Sequence, residues 1–174
     1  MITNFKQFNE NLLVPRNLAE RHVKRKQMNI RLLSQEVIDG DLELNESFMD
    51  IDAKFVKLKK VNGNIRLSSL EWTEIPEWLK DVEVNGNFSC SGNKLTTLKN
   101  CPKEIGGSFK CARNRLISLE GCPENIGGDF DCYYNNLASL EGCPENIGGD
   151  FYCYGNKYKL ELPDYVDLKG KFIN

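Results

Sequence analysis

Large apolar residues fall in one recurring phrase along most of this chain, apolar-x-Gly-x-apolar. It reads Ile38-x-Gly40-x-Leu42, Val61-x-Gly63-x-Ile65, Val84-x-Gly86-x-Phe88 and Ile105-x-Gly107-x-Phe109. It continues as Ile126-x-Gly128-x-Phe130, Ile147-x-Gly149-x-Phe151 and Leu168-x-Gly170-x-Phe172. The steps between phrases are 23, 23, 21, 21, 21 and 21 residues. A period this short makes one coil of chain with one short strand, and such a coil buries its apolar edge only against its neighbours. The alternation in Phe130-Asp131-Cys132 marks the strand, with one face turned inward. The pattern therefore predicts a solenoid over 38–174, with adjacent coils paired as parallel strands and equivalent residues stacked roughly 4.8 Å apart.

Other positions keep the same period. Leu44, Leu67, Cys90, Cys111, Cys132 and Cys153 follow the phrase by two residues, as further inward candidates. Asn93, Asn114, Asn135 and Asn156 come next, then Leu95, Leu116, Leu137 and Tyr158, then Leu98, Leu119 and Leu140. A second cysteine column, Cys101, Cys122 and Cys143, always precedes proline. The asparagine column predicts side-chain amides that satisfy backbone groups in the tight turn after the strand.

These columns resemble leucine-rich repeat proteins, whose strand pattern is apolar-x-apolar-x-x-Asn-x-Leu. The chain reads Phe88-x-Cys90-x-x-Asn93-x-Leu95, and the coils at Phe109 and Phe130 repeat it. The return Leu140-Glu141-Gly142-Cys143-Pro144 looks like the short LP-type repeats of bacterial effectors and tailed-phage proteins. The resemblance covers about 38–174, with glycine in place of the first strand leucine and with Ser47 and Leu70 where the early coils lack the asparagine. It implies an α/β repeat solenoid of leucine-rich-repeat-like parallel β coils. The opening "MITNFKQFNENLL" also resembles leaders on proteins of large tailed phages.

Residues 1–37 stand outside the beat and are expected to form a helical N-terminal cap. Phe5–Leu13 has the spacing of a short helix, interrupted by Pro15. A longer helix follows over Asn17–Val37, with Asn17 as its N-cap and an imperfect apolar face of Leu18, Val23, Ile30 and Leu33. Such a cap covers the exposed end of a repeat array. Seven basic residues stand against three acidic ones here, so this segment carries +4 of a total of -2 and the rest carries -6. Arg21, Lys24, Arg25, Lys26 and Arg31 are thus candidates for holding phosphates or nucleic acid, against their alternative role as a solvated outer face.

The net charge of -2 excludes the whole molecule as an electrostatic nucleic-acid binder. No stretch approaches the roughly 20 apolar residues of a membrane span, and the first residues lack a secretory apolar run. The expected location is the cytoplasm, that of the host if the chain is phage-encoded, where thiols stay reduced.

That compartment bears on the seven cysteines, all of which lie in the two columns. Their spacings of ten and eleven residues lack the paired signature of zinc sites, and the single histidine, His22, has no partner residue in sequence. A catalytic thiol needs a base and exposure, and disulfides between stacked coils are the remaining alternative. The expected role is packing, with no cofactor and no metal. Asp129 and Asp150 precede the Phe positions on successive coils, as a calcium pair or as solvated turn residues, the latter favoured because Asn87 and Ser108 hold the same slot.

Function is left to outward residues. Stacking gathers Tyr133, Tyr134, Tyr152 and Tyr154 into a patch with Lys110, Arg113 and Arg115 beside it, and exposed tyrosine and arginine are typical interface anchors. The competing reading is that tyrosines are good strand formers covering exposed sheet. The expectation is a noncatalytic module that binds a protein partner through its strand face, the alternative being nucleic-acid or phosphate binding by the N-terminal helix. The C-terminal strand is a candidate edge for pairing with a second copy.

Overall fold

The computed structural model describes residues 18–45, 48 and 51–174. The short helix expected over Phe5–Leu13 and the Asn17 cap lie outside the described residues. Among the described residues the chain forms a parallel β-solenoid preceded by the α-helix α1 (Leu18–Leu33).

Each coil carries two short strands, where the sequence reading expects one. The glycine of the recurring phrase is the corner between them. Strands before the corner make a seven-stranded parallel sheet, from Val37–Ile38 to Asp167–Leu168. Strands after it make a second seven-stranded parallel sheet, from Leu42–Glu43 to Phe172–Ile173. Register follows the sequence period: Ile105 pairs with Ile126 and Phe109 with Phe130. In the second sheet the backbone ladder continues beyond each strand, with Phe109, Cys111 and Arg113 N–H groups donating to the Asp129, Asp131 and Tyr133 carbonyls at 2.8–3.0 Å.

The corner is tight enough to demand glycine. A Cβ on Gly128 would lie 2.7 Å from Ser108 Oγ and 2.9 Å from the Ser108 backbone nitrogen on the preceding coil. Beside the corner runs a ladder at the slot that the sequence reading takes as a calcium pair or, in preference, as solvated turn residues. The Asp129 carboxylate accepts from the Asp150 N–H, and the Asp150 carboxylate accepts from the Lys171 N–H, both at 2.8 Å. Asp41, Asn64, Asn87 and Ser108 accept from the next coil in the same way. The slot thus requires a short side chain with an acceptor oxygen, and Asp, Asn and Ser all supply one.

The core is a set of one-residue columns. Phe88, Phe109, Phe130 and Phe151 are fully buried, and successive ring centroids lie 4.7–5.9 Å apart. Each such ring contributes about 1.5–3 kcal/mol of burial. Cys90, Cys111, Cys132 and Cys153 line the next column, also fully buried. In the asparagine column Asn93, Asn114 and Asn135 are buried and Asn156 is half-buried, and the side chains do what the pattern predicts. Asn114 Nδ2 donates to the carbonyls of Cys90 and Cys111 at 3.0 and 3.1 Å, while its Oδ1 accepts from the Leu95 N–H at 3.1 Å. Asn93 and Asn135 repeat the arrangement.

At the ends the columns change. Tyr158, in the slot of Leu95, Leu116 and Leu137, is 53% exposed, and Leu160 fills the core instead. In α1 the buried face is Asn29, Leu32 and Leu33, with Ile30 half-buried. Val23, read from sequence as part of that face, is 55% exposed. Leu33 and Glu36 carbonyls accept from Lys57, Leu58, Lys59 and Lys60, which ties the end of the helix to the first coils.

Candidate functional site: an aromatic cluster on the second sheet

All seven cysteines are free; six are buried and Cys122 is half-buried. Burial pushes the Cys153 thiol up to about 12 and raises Cys90, Cys101, Cys111 and Cys132 as well. Thiols held in that state are poor nucleophiles and poor ligands. Among the described residues no group of three His, Cys, Asp or Glu side chains is arranged to hold a metal ion. Among the described residues, too, no helix is long and apolar enough to cross a membrane.

The outward side of the second sheet is different. Two residues past each inward cysteine, the chain turns with positive φ. The column runs Ser69 (φ 59°), Gly92 (69°), Arg113 (56°), Tyr134 (53°) and Gly155 (69°). Glycine reaches this left-handed region without strain, whereas a side chain costs about 1–2 kcal/mol there. Arg113 and Tyr134 are therefore placed against local preference, and they touch each other: the guanidinium of Arg113 sits 5.0 Å from the Tyr134 ring centre. Gly155, one coil on, leaves the space that the ring occupies; a Cβ on it would lie 2.6 Å from Tyr134 Cε1.

Tyr133 and Tyr154 stack beside this ring, 4.9 Å apart and 3° from parallel. Tyr134 meets both edge-on, at 5.6 Å in each case. The three rings and one guanidinium form a single cluster, with Tyr134 49% exposed. Burial beside the other rings pushes the Tyr154 hydroxyl above its ordinary value.

The remaining residues read from sequence are placed around it. Tyr152 does not join the rings; its hydroxyl donates to Asp150 Oδ2 at 3.0 Å. Lys110 pairs with Asp131 at 3.6 Å on the next coil. The Asp131 side chain is only 14% exposed, and burial raises its pKa despite that lysine. Arg115 is exposed in the turn column that also holds Lys94, Asn136 and Lys157. Lys94 pairs with Glu71, and Lys157 lies 5.2 Å from the Tyr158 ring centre.

The basic residues of α1 form a separate place. Arg21, Lys24, Arg25 and Arg31 are exposed and Lys26 is half-buried. The helix leads into the first coil, and Tyr134 belongs to the fifth, about 19 Å along the axis at 4.8 Å per coil. Sequence reasoning missed the seat provided by Gly155 and the left-handed column. The signal was present: Gly92 and Gly155 stand at the same repeat position as Arg113 and Tyr134. Comparison with protein-family models, with curated proteins and with solved structures returns no match.

Proposed function

We propose that this chain is a noncatalytic docking module, a leucine-rich-repeat-like solenoid that holds a protein partner on its second sheet through Tyr133, Tyr134, Tyr154 and Arg113. The observation that carries this reading is the backbone at Tyr134. A tyrosine that merely covers exposed sheet belongs in a strand, where its propensity helps. Tyr134 instead occupies a left-handed turn position, where the neighbouring coil has glycine. Strain of this kind persists where the surroundings over-determine it, and it clusters at binding sites. Lys110, Arg115 and Tyr152 form the rim of the same face. The interior supports the noncatalytic reading, since its thiols are raised and buried. On this reading the chain works in the cytoplasm, that of a host cell if it is phage-encoded.

Affinity capture from the native cell tests the proposal. Wild-type protein is expected to retain a partner that the Tyr134→Gly, Tyr154→Ala double variant loses, both proteins giving the same circular dichroism. Retention of the same partners by both would refute it. A second reading, nucleic-acid binding by Arg21, Lys24, Arg25, Lys26 and Arg31, is favoured by the exposure of four of these side chains on one helix. It requires binding that falls steeply with salt and is lost on charge reversal at Lys24, Arg25 and Lys26.

A further inference from the structure

The docking surface has a chemistry that narrows its occupant. Along its edge run Lys94, Arg115, Asn136 and Lys157, one per coil, three of the four cationic. Asn114, Asn135 and Asn156 hold the preceding residues in register through bonds to Leu95, Leu116 and Leu137 of the coil before. Arg115 and Lys157 are therefore two coils apart, about 9.6 Å at 4.8 Å per coil. The aromatic cluster lies on the coils between and beside them.

Resting on the reading of this face as a docking surface, we infer that its occupant is an acidic, proline-bearing peptide segment in the polyproline II conformation, lying along the solenoid axis. In that conformation side chains three residues apart point the same way and are about 9.3 Å apart. Two carboxylates so spaced meet Arg115 and Lys157 together. A β-strand repeats its facing side chains at about 6.7 Å, which matches neither one coil step nor two. The ring geometry agrees, because Tyr134 standing edge-on to the Tyr133–Tyr154 stack makes the angled aromatic surface on which proline rings pack. Single-stranded nucleic acid also pairs stacking rings with cations. The cations here form one row rather than a field, which gives a phosphate chain few contacts.

The test is fluorescence anisotropy with the full chain and labelled synthetic peptides. The probes are repeats of Glu-Pro-Pro, Gln-Pro-Pro, Lys-Pro-Pro and Glu-Gly-Gly, with an oligothymidylate of similar length. Glu-Pro-Pro is expected to bind best, with Gln-Pro-Pro about tenfold weaker through loss of two exposed charge contacts. Glu-Gly-Gly is expected to be weaker too, because it must be ordered on binding. The Arg115→Gln, Lys157→Gln double variant is expected to bind Glu-Pro-Pro and Gln-Pro-Pro equally, while Tyr134→Gly weakens both. Tighter binding of Lys-Pro-Pro or oligothymidylate, equal binding of Glu-Gly-Gly, or no peptide binding at all would overturn the inference. A captured partner that still depends on Tyr134 in that last case would leave the docking surface standing and only its occupant wrong.

Discussion

Truncating two asparagines of one column should cost different amounts, and the difference tests the ladder. Asn114→Ala removes an amide whose two main carbonyl partners keep another donor. The Cys90 carbonyl still accepts from Asn93, and the Cys111 carbonyl from Asn135, at 3.0 and 3.1 Å. One buried group loses its partner, the Leu95 N–H. Asn93→Ala removes more, because its Oδ1 accepts from both the Leu70 and the Trp72 N–H groups, at 2.8 and 3.2 Å. Its Nδ2 also serves the Leu67 carbonyl at 2.6 Å. A buried group left without a partner costs about 1–3 kcal/mol. Asn114→Ala should thus cost about 2 kcal/mol and Asn93→Ala about 4 kcal/mol. The same atoms are deleted in both variants, so the transfer and cavity contributions largely cancel in the difference. Urea unfolding followed by tryptophan fluorescence gives both values, with unchanged m as the check that the unfolded states are comparable. Costs equal within about 0.5 kcal/mol, or a larger cost at Asn114, would refute the reasoning.

Three other outcomes follow from the packing. Gly128→Ala should destabilise by about 2 kcal/mol or more, since its Cβ must displace the Ser108 backbone; an unchanged thermal midpoint would contradict this. Thiol titration at pH 8 should find at most Cys122 reacting rapidly in the native protein and all seven reacting after denaturation; rapid labelling of most thiols in the folded state would exclude the packed interior. Asp131→Asn should raise stability at pH 7. Burial places the folded-state pKa of Asp131 above the ordinary 3.8, so its ionised form costs stability above that value. The gain should fade as pH drops through the raised folded value to below 3.8, where both states are protonated; a loss of stability at pH 7 would show that the Lys110 pair outweighs burial.

Much of the fold was legible because each column has one job. A buried ladder restricts its slot to one kind of side chain, as the run Phe88, Phe109, Phe130, Phe151 and the run Asn93, Asn114, Asn135 show. The seven phrases therefore mark the sheet register residue by residue. The second strand per coil was not legible, since a glycine corner flanked by two-residue strands has too few alternations to declare itself. Ends were harder still. Tyr158 sits in a leucine slot but lies outside, because Leu160 reaches the core in its place. Val23 was misplaced because the charged α1 buries only a narrow face near its C-terminal end.

The site was half legible for a related reason. Period alone brings Tyr133 over Tyr154 and Arg113 beside Tyr134, since stacking fixes Cα positions. It does not fix χ angles. Tyr152 turns to Asp150 because a carboxylate two residues away, already holding the Lys171 N–H, has a second oxygen to offer. Lys110 likewise turns to Asp131. Competition among neighbouring polar partners decides such orientations, and period carries no record of it.

Hydrogen–deuterium exchange on the complex with the captured partner addresses the central claim most directly. Slowed exchange is expected over 110–116, 131–137 and 152–158, which contain the left-handed turns, the rings and the cationic edge. Slowed exchange over α1, or along the first sheet from Val37 to Leu168, with these segments unchanged, would place the partner elsewhere and contradict the account.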